Sequence, residues 1–175
     1  MINMKIFKLY NQVNGYAPID FTNDEICDVF DGQKDVSVIN GHNYKWSIFE
    51  SDNKRGDSPF YLGAFPIFEE KKVKGFDFAD AKTAVFKVEG VNYVAVGAPI
   101  ITGDIIDKEE SDIELFSNGL IMCVWKYALK SNVLYPPIFR IEEYPYDTFV
   151  TESMRASLNT LGLSQLLFEE CLMVE

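Results

Sequence analysis

Short segments rich in apolar and aromatic residues recur along the chain and predict β-strands, and two of them, residues 36–39 and 44–49, alternate in a strand-like way. The predicted strands are residues 5–11, 36–39, 44–49, 84–88, 92–96, 120–127, 138–141 and 166–168. Asn40-Gly41 and Glu89-Gly90 lie between neighbouring segments and predict hairpin turns. Residues 120–127 could also form a helix, and residues 166–168 are expected to be the final strand.

Helical patterns are fewer and shorter. Thr22 and Glu25 have the spacing of a capping box, which predicts a short helix that ends near Asp31-Gly32. Residues 67–74 place apolar side chains on one side and charged ones on the other, so they predict a second helix. Residues 60–66 between these helices are too aromatic for an exposed loop and are expected to pack on the core.

The clearest helix is predicted near the C-terminus. Thr151 suits its N-cap, an apolar stripe contains Met154, Leu158 and Leu161, and Gly162 suits a left-handed residue after its end. Together the elements predict an α+β fold with a mostly antiparallel sheet and a few short helices, including this helix followed by a strand. The length of 175 residues and the 47% hydrophobic content predict a single domain, residues 1–175, with a substantial core.

The chain is strongly acidic, with 27 Asp and Glu against 16 Lys and Arg and a net charge of −11. This charge disfavours nucleic acid and anionic membranes as partners and favours a basic protein, although acidity can also serve solubility alone. Cys27, Cys123 and Cys171 are far apart, which is typical of a reduced cytoplasmic protein. We expect no signal peptide and no membrane span, because no long apolar run is present.

The acid is densest in residues 91–115, where an apolar strand turns at Gly97-Ala98-Pro99 and runs into a charged segment. The candidate partner-binding residues of this acidic segment are Asp104, Asp107, Glu109, Glu110, Asp112 and Glu114. Only Lys108 offsets them, and such crowded like charge favours a cationic partner. The structural alternative is that Asp104 and Asp107 cap a turn or a loop.

Residues with catalytic chemistry are sparse. His42 is the only histidine and lies in a predicted turn, so a catalytic triad or dyad would have to use it. The acidic segment could attract Ca²⁺ or Mg²⁺ but lacks the spacing and the glycine of an EF-hand loop. Trp46 and Trp125 are assigned to the core as the commoner role of such residues. We therefore predict no catalytic residue, no metal site and no cofactor.

Several short blocks of the second half occur in the order found in a family of bacterial immunity proteins. The blocks are Pro59-Phe60-Tyr61-Leu62-Gly63 with residues 66–71; Tyr93-Val94-Ala95-Val96; residues 104–111, which read D-x-x-D-x-x-x-S; Ile138-Phe139-Arg140-Ile141; and Phe149-Val150-Thr151-Glu152 with Leu161-Gly162-Leu163 and Phe168-Glu169-Glu170. The chain thus resembles immunity proteins of polymorphic toxin systems, some first catalogued as a domain of unknown function. The resemblance covers residues 60–170 and rests on the order and spacing of the blocks.

The resemblance implies an immunity protein that binds and neutralises one cognate toxin domain, with a nuclease as one candidate for that toxin, and does no chemistry itself. It brings no catalytic residues with it. Two alternatives from other classes stay open: an enzyme that uses carboxylates with Mg²⁺, and a structural or adaptor protein of phage or secretion machinery. Loss of hydrolysis on mutating one carboxylate would favour the enzyme, and stable self-assembly would favour the structural protein.

Overall fold

The computed structural model describes residues 4–47, 53–60 and 63–175 and places them in fourteen strands and three short α-helices. The strands are β1 (Ile6–Asn11), β2 (Ile19–Asp20), β3 (Asn43–Trp46), β4 (Ile67–Glu69), β5 (Lys82–Val88), β6 (Val91–Gly97), β7 (Ile100–Ile101), β8 (Asp112–Leu115), β9 (Ile121–Lys126), β10 (Ala128–Lys130), β11 (Ile138–Ile141), β12 (Tyr144–Thr151), β13 (Leu166–Glu170) and β14 (Leu172–Val174). The helices are α1 (Ile26–Phe30), α2 (Glu70–Val73) and α3 (Glu152–Asn159), and Val36–Ile39 forms a 3-10 turn.

Two five-stranded sheets form the frame. The first sheet has the order β13-β1-β12-β11-β7 and the second has the order β2-β3-β5-β6-β4. Neighbours are antiparallel except in the β11–β7 and β3–β5 pairs, which are parallel. Two further pairs stand apart from the sheets: β8 with β9, antiparallel, and β10 with β14, parallel. The predicted α+β fold with mostly antiparallel strands is confirmed.

The core has three clusters of buried side chains, separated by the two sheets. The first cluster lies between the second sheet and α1 with the 3-10 turn, and it includes Phe86 and Ala95. The second cluster joins side chains of both sheets and α3, among them Val96, Val150 and Leu158. The third cluster covers the other face of the first sheet. Because the two sheets share the second cluster, they form one domain.

Strand β12 shows why the first sheet is buried on both faces. Phe149 and Val150 are neighbours in sequence, and successive side chains of a strand point to opposite faces. Both are fully buried, Val150 in the second cluster and Phe149 in the third. Phe149 meets Tyr127 edge to face, with ring centroids 4.7 Å apart. A segment of residues 105–135 therefore has to cover this outer face of the first sheet.

Several predicted elements are confirmed. The hairpin of β5 and β6 is present, with Glu89 and Gly90 at φ of 46° and 86°. Residues 120–127 form a strand, β9, and not a helix. Helix α3 begins after Thr151, and Gly162 has a φ of 65° beyond its end. The Thr151 side chain makes no capping hydrogen bond to the helix, however, so only its position as N-cap is right.

The predicted hairpin around Asn40-Gly41 is wrong. Residues 36–39 form a 3-10 turn, which Asp35 begins by accepting a hydrogen bond from the Ser37 N–H at 2.8 Å. Strand β3 pairs instead with β2 and with β5. Other elements lie between β3 and each of these strands in the sequence. Phe49, at the end of the predicted strand 44–49, lies outside the described residues.

The predicted helix over residues 67–74 is half wrong, because its first part is strand β4. Ile67 and Phe68 pair with β6 and are fully buried on opposite faces of the second sheet, in the first and second clusters. Only Glu70–Val73 is helical. Phe65 is fully buried and Phe60 packs against the second cluster, as expected for residues 60–66, while Tyr61 and Leu62 lie outside the described residues.

Two smaller predictions also fail. Thr22 does not cap α1. The helix begins after Glu25, and the Glu25 N–H donates to the Asn23 side-chain oxygen at 2.9 Å. Strand β13 is not the last, because Leu172–Val174 continues as β14 beside β10. The bridging residue Cys171 is buried in the third cluster. These pairings join segments far apart in sequence, which local patterns do not report.

Candidate functional site

The acidic segment lies on the outer face of the first sheet, where it is anchored by two buried residues. Ile105 and Ile106 are each 1% exposed and pack in the third cluster. Both of their N–H groups donate to one Glu143 oxygen, at 2.7 and 2.9 Å. Lys108 approaches the other oxygen of Glu143 at 3.8 Å. The start of the segment is therefore held to the loop between β11 and β12, a contact that the sequence did not indicate.

Asp107 shapes the turn that follows. One oxygen of its carboxylate accepts the N–H groups of Glu109 and Glu110, both at 3.0 Å. Its carbonyl accepts the N–H of Ser111 at 2.9 Å, and its own N–H donates to Ala128. This is the local side-chain to backbone bonding by which Asp stabilises turns. The structural role considered for Asp107 is thus present.

Asp104 also has a partner inside the chain. Its side chain is exposed and forms an ion pair with Lys130 at 2.5 Å. The hydrogen bond from Lys130 lowers the pKa of Asp104 below its ordinary value. Two of the six candidate residues, Asp104 and Asp107, therefore use their carboxylates within the chain.

The other four candidates form a separate group, which we call the outer carboxylates: Glu109, Glu110, Asp112 and Glu114. All four are exposed. None of their side chains makes an ion pair or hydrogen bond with any residue that the structure describes. Asp112 and Glu114 flank Ile113 on β8, and Ile113 packs against the third cluster. Strand alternation therefore directs these two acids away from the core.

The β8–β9 hairpin beside them exposes apolar side chains. Its inner face packs through Ile113 and Val124, which are paired across the two strands. Ile121 also packs against the third cluster, and Cys123 is half-buried. Five further apolar residues of the hairpin are exposed: Leu115 at 46%, Phe116 at 49%, Leu120 at 64%, Met122 at 41% and Trp125 at 62%. We call these five residues the hairpin patch. The assignment of Trp125 to the core is wrong, whereas Trp46 is 6% exposed as expected.

Two β-bulges explain how Met122 and Trp125 of β9 both reach solvent. Asp112 pairs with Lys126 and Ile113 with Val124, so Trp125 has no partner in β8. Likewise Glu114 pairs with Cys123 and Leu115 with Ile121, which leaves out Met122. Each bulge interrupts the alternation of inward and outward side chains. A pattern search that assumes strict alternation therefore cannot tell which apolar residues of β9 are buried.

A polar network beside a cleft is the nearest approach to catalytic chemistry. The cleft has a volume of about 440 Å³, and its lining includes Lys8, Asp147 and Phe60. The Tyr127 hydroxyl donates to Asp147 at 2.6 Å, and Lys8 forms an ion pair with the same carboxylate at 3.2 Å. Burial, reinforced by the Asp147 charge, raises the pKa of Tyr127 far above its ordinary value. The phenol stays protonated and the carboxylate is paired, so the network binds β1 to β12.

The remaining sequence candidates stay apart. His42 is exposed, and its Nδ1 lies 3.3 Å from the Tyr44 hydroxyl. Among the described residues, no three His, Cys, Asp or Glu side chains are grouped so that they could hold a metal ion. Across residues 4–47, 53–60 and 63–175, every helix is too short or too polar to cross a membrane.

Comparison with known proteins adds no family. No protein-family model matches the chain, and no significant match is found among curated proteins. The resemblance to immunity proteins therefore stays a prediction. The outer carboxylates and the hairpin patch are the features of the described structure on which a function can be argued.

The role of Asp107 as a turn residue leads to a first prediction. Replacing Asp107 with Ala removes the acceptor of two N–H groups, so the variant should lose about 1 kcal/mol of unfolding free energy. Hydrogen exchange at the Glu109 and Glu110 amides should become faster. Asp107→Asn keeps the acceptor without the charge and should restore most of the protection. Unchanged exchange in Asp107→Ala would mean that other contacts hold the turn.

Proposed function

We propose that this protein is an immunity protein that binds a cognate toxin domain through the acidic outer face of its first sheet and blocks that domain without chemistry of its own. The observation that carries the proposal is the group of outer carboxylates, which are exposed and make no ion pair with any described residue, although Lys126 lies opposite Asp112 in the hairpin. The resemblance of residues 60–170 to the immunity family supports the proposed class of protein. In the block 104–111, the shared residues Asp104, Asp107 and Ser111 bond within the chain, so the argument for the binding surface rests on the outer carboxylates themselves.

The electrostatic argument concerns both the free and the bound protein. In a chain of net charge −11, four unpaired carboxylates on adjoining elements repel one another. Lys and Arg side chains of a basic partner would relieve that repulsion. Toxin domains that act on nucleic acid need basic clefts, and an acidic protein can occupy such a cleft in place of the substrate. Exposed charges at the rim of an interface act mainly on the association rate.

The turn makes these carboxylates a defined recognition surface. Asp107 fixes the backbone of Glu109 and Glu110, and the β8–β9 pairing fixes that of Asp112 and Glu114. Backbone that is ordered before binding loses less conformational entropy on association. Only the side chains of these acids would then have to be ordered by the partner.

The test is a charge reversal of three outer carboxylates. Because immunity genes are expected to lie beside the genes of their toxins, the binding partner to use is the product of a neighbouring toxin gene. In Glu109→Lys/Glu110→Lys/Asp112→Lys, we expect the association rate with that toxin domain to fall at least about tenfold at low salt. The wild-type rate should fall steeply with salt and the variant rate should not. Protection of cells that express the toxin should fall in parallel.

A control variant has the same change in net charge elsewhere. Asp20, Asp24 and Asp80 lie outside the first sheet, are exposed and make no ion pair with described residues, so Asp20→Lys/Asp24→Lys/Asp80→Lys is matched in charge. It should keep most of the wild-type rate. Equal rates for the two triple variants would place recognition elsewhere. Failure of the wild-type protein to bind the toxin domain at any salt concentration would overturn the proposed function.

A further inference from the structure

We infer that the hairpin patch is the anchor of the interface, and that it inserts into an apolar cleft of the partner that Lys and Arg side chains border. The inference rests on the proposed function and deepens it, because it assigns the patch a role distinct from that of the outer carboxylates. The acids would accelerate encounter, and the hairpin patch would hold the complex together.

The exposure of the hairpin patch is the first argument. Large apolar side chains are common on surfaces singly, but five on one two-stranded hairpin form a concentration that marks an interaction site. They include Trp125, and Trp is among the residues that most often dominate binding energy when an interface covers them. Met122 is flexible and polarizable, and therefore adapts to the shape of a partner.

The bulges give the second argument, because they determine how a partner can bind. Trp125 and Met122 are the unpaired residues of β9, and bulges bend a strand and redirect its side chains. An interrupted edge is a poor template for adding a strand from another protein. Contact through the side chains of the hairpin, and not through its backbone, is therefore the mode that fits.

Charge determines what covers the patch. Asp112 and Glu114 lie on the hairpin itself, and Glu109 and Glu110 lie in the turn that precedes it. In a symmetric pair of copies the same surface meets itself, which would bring these acids close to their own counterparts. An anionic membrane surface would repel them in the same way. A protein that offers an apolar cleft with basic edges satisfies both the patch and the acids.

The experiment compares two leucines that receive the same substitution. Leu120 is 64% exposed in the patch, and Leu134 is 90% exposed in the loop between β10 and β11. In binding to the toxin domain used to test the proposed function, Leu120→Ser and Trp125→Ser should each accelerate dissociation, Trp125→Ser by at least about 30-fold. Leu134→Ser should leave the dissociation rate unchanged. The association rates of all three should stay close to that of the wild type.

A spectroscopic readout shows directly whether Trp125 is covered. The chain has two tryptophans, Trp46 buried and Trp125 exposed, so incorporation of 5-fluorotryptophan gives two ¹⁹F signals. Trp125→Phe assigns them. On addition of the toxin domain, the Trp125 signal should shift and lose its difference between H₂O and D₂O, and the Trp46 signal should not change.

The outcomes separate this inference from the proposed function. If the wild-type protein binds the toxin domain but the Trp125 signal and the Leu120→Ser dissociation rate are unchanged, the inference is wrong and the proposed function stands. If the wild-type protein does not bind, both fail. A dimer of the free protein in sedimentation experiments that Trp125→Ser dissociates would show that a second copy covers the patch, and would also overturn the inference.

Discussion

Asp57→Ala is expected to lower the free energy of unfolding by about 3–5 kcal/mol. The substitution removes a buried carboxylate, and its hydrogen-bond donors then have no other acceptor nearby. Asp57 is 5% exposed. One of its oxygens accepts the N–H and the hydroxyl of Ser164, at 2.8 and 2.9 Å, and forms an ion pair with Lys72 at 2.8 Å. The other accepts the N–H of Gln165 at 3.2 Å. Denaturant unfolding followed by circular dichroism would measure the loss.

The position of Asp57 explains why the effect should be global. Its bonds tie the segment before β4 to the turn before β13, more than one hundred residues later in the chain. Gln165 strengthens the same junction, since its side chain accepts the Ser58 N–H at 3.1 Å and donates to the Gln12 carbonyl at 2.8 Å. Without the carboxylate, the buried N–H of Gln165 loses its acceptor, and the Ser164 donors lose theirs at the edge of the junction.

The stability that Asp57 contributes should depend on pH with a definite sign. Burial alone would raise the pKa of Asp57, but the hydrogen bonds from Lys72, Ser164 and Gln165 outweigh it and lower the pKa below its ordinary value. A carboxyl with a lowered pKa stabilises the folded state above its unfolded pKa and loses that contribution as the pH falls through its folded pKa. The difference between wild type and Asp57→Ala should therefore shrink below about pH 4.

Two controls distinguish the buried network from charge in general. Asp57→Asn keeps acceptor geometry and should cost less than Asp57→Ala. Lys71→Met removes an exposed Lys from its ion pair with Glu69 and should have almost no effect, whereas Lys72→Met should destabilise measurably. Equal stability of Asp57→Ala and the wild type at pH 7 would contradict the structural role.

Elements that depend on nearby residues could be predicted from the sequence. The β5–β6 hairpin follows from the two apolar segments on either side of Glu89-Gly90, and α3 follows from its stripe and from Gly162. Strand β4 could not be predicted this way. Ile67 and Phe68 are adjacent apolar residues buried on opposite faces, a pattern that suits one side of a helix as well as a strand. Pairing with β6 decides between them, and that contact is not local.

The candidate site likewise contains features that local sequence could predict and features that it could not. Charge density along the sequence correctly located an exposed acidic segment, but it could not separate Asp104 and Asp107, which serve the chain, from the outer carboxylates. That separation depends on Lys130 and on the turn geometry. The hairpin patch was missed because Trp125 was assigned to the core, whereas it is exposed. Only the bulged register of β9 shows that the side chains of Met122 and Trp125 are exposed.

Leu158→Ala is expected to cost about 2–5 kcal/mol of unfolding free energy, because it removes a fully buried side chain and leaves a cavity. Leu158 lies on α3 in the second cluster, which both sheets share, so the cavity would lie where the two sheets meet.

Leu134→Ala is the matched control, since Leu134 is 90% exposed and should change stability by less than about 0.5 kcal/mol. Both changes in unfolding free energy are obtained from denaturant midpoints, with one common dependence of that free energy on denaturant concentration. Near-equal midpoints for the two variants would place α3 outside the core. The affinity of the folded Leu158→Ala protein for the toxin domain should be unchanged, because the outer carboxylates and the hairpin patch lie on the opposite face of the first sheet.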